Sequence, residues 1–308
     1  MIGQPIPRLD GPAKVTGAAP YAADQAVPNL LHAVIVTAAI PAGRVTAIDD
    51  TEALRERGVI RVLTQSDLPR LNRADAPMMA QTLIPMQSDE IRHEGQPVAI
   101  VLGETLEAAE AGAHRARVRY EPAKPRLPVG AEWEEIDQVA VAPKQGGFLF
   151  FEPTFAKGDP GAGLAAGDRR FEAAYLQPSR HHNPMEPSAT LAVWEGDNLT
   201  LYDATQHVYG VQRVVATVLG IPPERVRVIS SHTGGGFGVK GWIWPHEILA
   251  PVAAKVVGRP VKLVLTRSQM YSMLGYQPRT VQKVALGSDA AGRLTAVTHD
   301  VVNLTAVT

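Results

Sequence analysis

The apolar residues of this chain change period again and again, and that alternation confines it to folds that mix strands with helices. VTAIDD (45–50) repeats with the strand period of two, TEALRERG (51–58) with the helical period until Gly58, and VIRVLT (59–64) returns to two. Residues 96–122 repeat the scheme, with QPVAIVLG as strand, ETLEAAEAGAHRA as helix and RVRYEP as a strand stopped by proline. Ahead of both units, NLLHAVIVTAAI (29–40) reads as a buried strand. Between them, residues 68–94 hold Pro69, Pro77, Pro85 and two adjacent methionines with no clear period, which predicts a long loop.

A second block follows a break rich in proline and glycine between Pro122 and Phe171. FEAAYLQP (171–178) alternates as a strand, and ATLAVWEGDNLTLYDATQ (189–206) alternates on either side of a turn at EGDN. VQRVVATVLG (211–220) has one apolar helical face closed by Gly220, and RVRVISSH (225–232) is a strand. The glycine loop TGGGFG (233–238), the helix PHEILAPVAAKVVGR (245–259) and the strand PVKLVLT (260–266) complete the order. The fold class expected is α+β.

Composition removes several kinds of function. Lys+Arg 30 against Asp+Glu 31 leaves no basic footprint for nucleic acid or an anionic membrane. The absence of cysteine excludes disulfides, cysteine-ligated iron–sulfur clusters, zinc-thiolate sites and cysteine nucleophiles. No apolar run approaches the roughly 20 residues of a spanning helix; the best, Leu30 to Ile40, contains His32. The N-terminal MIGQPIPRLDGPAK has no apolar signal core, so no export signal is expected from these residues.

The most informative local feature is strand–TGGGFGVKG–helix. Three consecutive glycines permit positive φ and let backbone N–H groups converge on a ligand oxygen, and a following helix N-terminus adds positive potential. A cradle for an anion or oxo ligand and a merely tight turn stand level on spacing alone. A dinucleotide fingerprint fits poorly, because its third glycine falls on Val239, and Lys240 lacks the spacing and the following Ser or Thr of a P-loop. HHNPMEP (181–187) gathers His181, His182 and Glu186, but Pro184 and Pro187 prevent a helix that would align His182 with Glu186. With no third ligand at a readable spacing, a rigid polar loop is the better reading than a metal site. No serine sits in a glycine elbow, so Ser/His/Asp catalysis has little support. Gln206 ends a strand and could donate an amide to a ligand or simply make a turn. Trp242 and Trp244 straddle the exit of the loop, either lining a pocket or packing against the sheet.

Together these segments resemble the large molybdenum-cofactor subunit of the xanthine dehydrogenase/aldehyde oxidase family. GQPIPRLDGPAKVTGAAPYAAD is similar to the family's opening segment, and GQPVAIVLGETLEAAEAGAHRARVRYEP to the end of its hammerhead domain. HHNPMEPSATLAVWEGDNLTLYDATQ, LGIPPERVRVISSHTGGGFGVKG and GRPVKLVLTR then follow in the family's order, and GVKG…WPHE looks most like the bacterial aldehyde-oxidising branch. The resemblance implies an α/β hammerhead domain at 1–125, a linker at 126–170 and the first part of a molybdopterin-binding domain at 171–308. It implies a molybdenum hydroxylase acting on aldehydes or N-heterocycles, with oxygen taken from water and electrons passed to iron–sulfur and FAD groups on partner subunits. The missing cysteines fit a chain that holds only molybdopterin, in the cytosine dinucleotide form of bacterial relatives.

By the same resemblance, Gln206 offers an amide to an apical ligand of the molybdenum, and Gly234, Gly235, Gly236, Phe237 and Gly238 cradle its ligands. The substrate pocket falls at Gly241, Trp242 and Trp244. Gly241 stands where purine-oxidising members carry a glutamate, which disfavours xanthine and favours an aldehyde. The family's general base, a glutamate near its C-terminus, matches nothing in residues 1–308, so the chain is expected to be a part of a longer enzyme and inactive alone. The expected compartment is the cytoplasm, or the periplasm by way of a partner's export signal. Two rivals remain: a non-catalytic interaction or assembly module of the same fold, and a nicotinamide-dinucleotide enzyme built on the glycine loop.

Overall fold

The computed structural model describes residues 2–73, 84–125 and 155–303. Its contacts fall into two compact units, Met1–Pro125 with His182–Gly275, and Arg126–His181 with Tyr276–Thr308.

The first unit is built on a seven-stranded mixed sheet. In chain order its strands are β1 (Leu31–Thr37), β3 (Val59–Leu63), β5 (Pro97–Gly103), β9 (Ala189–Glu195), β10 (Asn198–Asp203), β11 (Val226–Ile229) and β12 (Val261–Val264). The small strands β2 (Gly43–Asp49), β4 (Glu90–Ile91) and β6 (Arg117–Pro122) form a separate three-stranded sheet. In space, the large sheet runs β11-β10-β9-β12-β1-β5-β3. The two blocks that look separate in sequence therefore share one sheet, joined where β1 runs parallel to β12 with Leu31 opposite Val261.

β5 shows why this sheet is stable. All seven of its residues are buried. Because side chains alternate across a strand, Ile100 and Leu102 enter one apolar cluster while Ala99 and Val101 enter another. The first cluster takes in the helices Val208–Leu219 and Pro245–Val257, and the second holds Val59, Ala113 and Ala53. Gly220 and Gly258 close those two helices at φ 67 each, the left-handed conformation that glycine adopts without a Cβ clash. The helix expected over 51–58 forms only Thr51–Leu54, too short to propagate before Gly58 turns the chain into β3.

In the second unit, β7 (Arg169–Gln177), β14 (Thr280–Ser288) and β15 (Leu294–Asn303) make an antiparallel sheet, with the helix Pro160–Ala165 against it. β8 (Arg180–His181) pairs with β13 (Tyr276–Gln277). Most of the linker expected at 126–170 lies outside the described residues, as do 74–83 of the long loop and residues 304–308. Among the described residues, no helix is long and apolar enough to cross a membrane.

Candidate functional site

β10 and β11 are neighbours and run parallel, so their carboxyl ends open on the same edge of the sheet. Gln206 follows β10 and the glycine loop follows β11, so the topology brings them together. Such an edge, at the ends of parallel strands joined through a helix, is a common ligand position in α/β sheets. Hydroxyl groups fix the two segments to each other: Ser230 Oγ and Thr233 Oγ1 donate to the Thr205 carbonyl at 3.1 and 3.2 Å. Thr205 Oγ1 and the Gln206 N–H both donate to the Lys240 carbonyl, at 3.0 and 2.8 Å.

Within the loop, Gly235, Phe237 and Gly238 have φ of 95, 54 and 99. Phe237 is the informative one, since a bulky residue in the left-handed region is strained and such strain gathers at functional sites. The Gly238 N–H donates to Gln206 Oε1 at 3.1 Å. That contact fixes the orientation of the carboxamide, because only its oxygen can accept, and it leaves the Nε2 hydrogens to donate elsewhere. Gly236 lies so close that a Cβ there would be 2.3 Å from Gln206 Oε1, so any side chain at this position must displace the carboxamide. Among the described residues, the amides of Gly235, Gly236 and Phe237 have no acceptor. A run of free amides around positive-φ residues is an anion-binding concavity.

Glu186 lies beneath this loop. Its Oε2 accepts from the Gly234 N–H and from Lys240 Nζ, each at 2.7 Å, and its own N–H donates to the Gly234 carbonyl at 3.1 Å. The pair is buried, with side-chain exposures of 1% for Lys240 and 6% for Glu186. Burial pulls the Lys240 ammonium below its ordinary pKa, and Glu186 pulls it back up.

Two sequence families match the chain: "Aldehyde oxidase and xanthine dehydrogenase, a/b hammerhead domain" over residues 16–124, and "Molybdopterin cofactor-binding domain" over residues 142–307. The aldehyde oxidoreductase molybdenum-binding subunit of Escherichia coli K12 is 33% identical over 302 residues, 97% of this chain and 40% of that protein. The chain belongs to the aldehyde oxidase and xanthine dehydrogenase family. A probable xanthine dehydrogenase subunit from Bacillus subtilis is 32% identical, over 96% of this chain and 38% of its own length. The chain thus spans about two fifths of the length of the curated relatives it matches. The fold agrees: the aldehyde oxidoreductase of Desulfovibrio gigas superposes with a TM-score of 0.80 at 25% identity, covering 96% of this chain and 34% of that one. Quinoline 2-oxidoreductase from Pseudomonas putida 86 gives 0.83 at 24% identity, covering 97% and 39%.

The residues present fit the family's cofactor. The free amides of Gly235, Gly236 and Phe237 offer donors to anionic or oxo ligands, and Gln206 Nε2 offers one more beside them. Among the described residues, Glu186 Oε1 is buried with no hydrogen-bond partner, which leaves one acceptor beneath the loop. Of the pocket residues expected from sequence, Trp242 is about half exposed, and a Cβ on Gly241 would meet nothing within 4 Å. Trp244 is engaged in packing: its Nε1 donates to the Val239 carbonyl, and its ring closes on Gly275, where a Cβ would lie 2.7 Å from it. Among the described residues, no metal-ligand cluster includes Glu186, whose Oε2 accepts from Lys240 Nζ and the Gly234 N–H.

Sequence reasoning passed over three buried groups near the loop. Asp203, His246 and Glu247 have ligand atoms all within 4.8 Å of one another, and each residue is 2% exposed or less. Thr190 Oγ1 donates to Asp203, and the Trp244 N–H donates to Glu247. Burial raises the Asp203 carboxyl to about 6 and Glu247 well above the carboxylate range, while burial lowers His246 to about 3. Two carboxyls and one neutral imidazole could hold a cation, but a proton shared between the carboxyls already removes their repulsion. The available signal was charge within apolar segments, LTLYD and PHEILAPV.

Proposed function

We propose that this chain supplies the molybdopterin-holding part of a molybdenum hydroxylase that oxidises aldehydes, or N-heterocycles, within a complex carrying iron–sulfur and FAD subunits. Its segments divide as hammerhead 1–125, linker 126–170 and the first part of the cofactor domain 171–308. The reaction adds water's oxygen to the substrate carbon: an aldehyde and one water give a carboxylic acid, two protons and two electrons, and the electrons leave to the partner subunits. When bound, the molybdopterin group, in its cytosine dinucleotide form, supplies the redox chemistry.

The residues of this chain bind and orient. The amides of Gly235, Gly236 and Phe237 hold ligand oxygens, Gln206 Nε2 donates to an adjacent one, and Gly234 and Gly238 anchor the ends of the cradle. Gly241 leaves space, Trp242 walls the pocket and Trp244 backs it from within the fold. Without a carboxylate at position 241, the pocket favours an aldehyde over a purine. The cytoplasm is the proposed compartment, or the periplasm by a partner's export signal. The single observation that supports this reading best is the set of three free amides beside a carboxamide whose oxygen is already taken.

Elemental analysis of the complex purified with its partners tests it, together with aldehyde-dependent reduction of a dye. Molybdenum at about one atom per chain with aldehyde turnover is expected. An intact complex free of molybdenum, or saturable binding of a nicotinamide dinucleotide to the loop, overturns it.

A further inference from the structure

One carboxylate oxygen touches both ends of the glycine loop. Glu186 Oε2 accepts from the Gly234 amide at the start and from the Lys240 ammonium at the finish, each at 2.7 Å. The Lys240 carbonyl in turn accepts from the Gln206 N–H and Thr205 Oγ1. Lys240 therefore joins the loop to Glu186 by its side chain and to Gln206 by its backbone.

Glu186 is itself braced. Arg267 opens the helix Arg267–Met273, and its Nη1 donates to Asn183 Oδ1 at 2.9 Å and to the Pro184 carbonyl at 2.7 Å. Its Nη2 donates to the Met185 carbonyl at 3.0 Å. One guanidinium thus holds the three residues that precede Glu186, including Asn183 at a left-handed φ of 45. The planar fork of arginine suits such convergent acceptors.

We infer that Glu186 and Lys240 are positioning residues, a buried staple that sets the distance between the free amides of Gly235–Phe237 and the Gln206 carboxamide, with Arg267 as its outer brace. What the loop grips rests on the function proposed above; the staple itself rests only on these contacts. Stability alone does not account for the pair. Replacing a buried ion pair by apolar groups of similar volume is often neutral or stabilising, whereas removing one partner is costly. The pair's polar contacts run to Gly234 at one end of the loop and, through the Lys240 backbone, to Gln206.

The double variant Glu186→Gln with Lys240→Met tests this in the full chain purified with its partners. It removes both charges together while keeping the volumes close. Hydrogen exchange over 233–241, thermal melting and molybdenum content are read side by side. With melting near that of the unaltered protein, exchange at the Gly234, Gly238 and Val239 amides is expected to quicken about tenfold, and molybdenum content to fall. Unchanged exchange in the folded double variant overturns the staple. If the unaltered protein carries no molybdenum while exchange still quickens in the variant, the staple stands and the proposed function falls. If the double variant does not fold, Lys240→Arg decides. It keeps the charge but places a planar fork where one ammonium reached Oε2, so faster loop exchange at unchanged melting supports the staple and unchanged exchange overturns it.

Discussion

Asp203 and Glu247 bring two carboxyl groups together in a buried position. Asp203 ends β10 and is 1% exposed; Glu247 sits in the first turn of the helix Pro245–Val257 and is 2% exposed. Burial is the main reason both pKa values are raised, Asp203 to about 6 and Glu247 well above the carboxylate range, and the charge of Asp203 further opposes ionisation of Glu247. The pair therefore keeps a proton at neutral pH. That proton ties the strand leading to Gln206 to the helix that follows the glycine loop.

The shared proton makes stability depend on pH. In the unfolded chain these groups titrate near 4, so between about pH 4 and 6 the folded state binds more protons than the unfolded one. Their contribution is fully present below the unfolded values and is lost as pH rises through the folded value of about 6 and onward through that of Glu247. In Glu247→Gln the amide mimics the protonated acid, donating to Asp203 without titrating. Thermal melting from about pH 4 to 8 should show the unaltered protein losing stability relative to Glu247→Gln as pH rises. Parallel profiles would remove the shared proton. Glu247→Ala, which leaves the Trp244 N–H and Asp203 without this partner, should cost about 1–3 kcal/mol.

Gly236→Ala tests how closely the loop approaches Gln206. The new Cβ would lie 2.3 Å from Gln206 Oε1 and 2.4 Å from its Cδ, so the carboxamide must move. The strain is local to an exposed side chain, so the expected loss of stability is about 1 kcal/mol, at the low end of overpacking costs. Molybdenum content and aldehyde turnover should fall much further than that figure accounts for. Retention of both at the unaltered level would show that Gln206 can shift without consequence.

The order of the main strands and helices of the first unit from Leu31 to Val264 was legible because periodicity and glycine punctuation are local. Gly220 and Gly258 end their helices where the apolar pattern ends, and β5 reads as the continuous apolar run expected of a strand covered on both faces. The loop and Gln206 were legible as motifs, and the parallel pairing of β10 with β11 explains why they meet. Non-local pairing was not legible. Nothing near Leu31 announces that it lies opposite Val261, which is why two sequence blocks became one sheet. Glu186 and Lys240, 54 positions apart, obey no spacing rule, so the carboxylate could be noticed but its partner could not. The two readings of Trp244 stayed level for the same reason: spacing says that an indole follows the loop, not which way it turns.

The ion pair between Arg259 and Glu104 makes the opposite case to the buried groups. Arg259 donates through Nη1 and Nη2 to the two Glu104 oxygens at 2.8 and 2.9 Å, and through Nε to the Asn29 carbonyl at 3.0 Å. Its geometry is bidentate, yet side-chain exposures of 30% and 47% leave it open to solvent and salt. Glu104→Gln should therefore lower the melting temperature only slightly, and the difference should shrink as ionic strength rises. A large, salt-independent loss would mean that this contact organises the segment beyond a surface pair.

Gln206→Glu is the sharpest test of the site, because it keeps the shape and changes the hydrogens. An oxygen remains to accept from the Gly238 N–H, now as a carboxylate, so the loop contact at 3.1 Å should survive. The side chain is exposed, and substitutions of that kind away from buried networks usually change stability within about 0.5 kcal/mol. On the other edge of the group, two N–H donors become an acceptor carrying negative charge. An oxo or other anionic ligand held by the free amides of Gly235, Gly236 and Phe237 would then meet repulsion where it had a donor. Aldehyde turnover per molybdenum should drop by about 10²–10³, the usual effect of losing one donor aimed at developing or resident negative charge. Melting that stays constant while turnover collapses places the role of Gln206 in its amide hydrogens. Unchanged turnover per molybdenum would take Gln206 out of the site altogether.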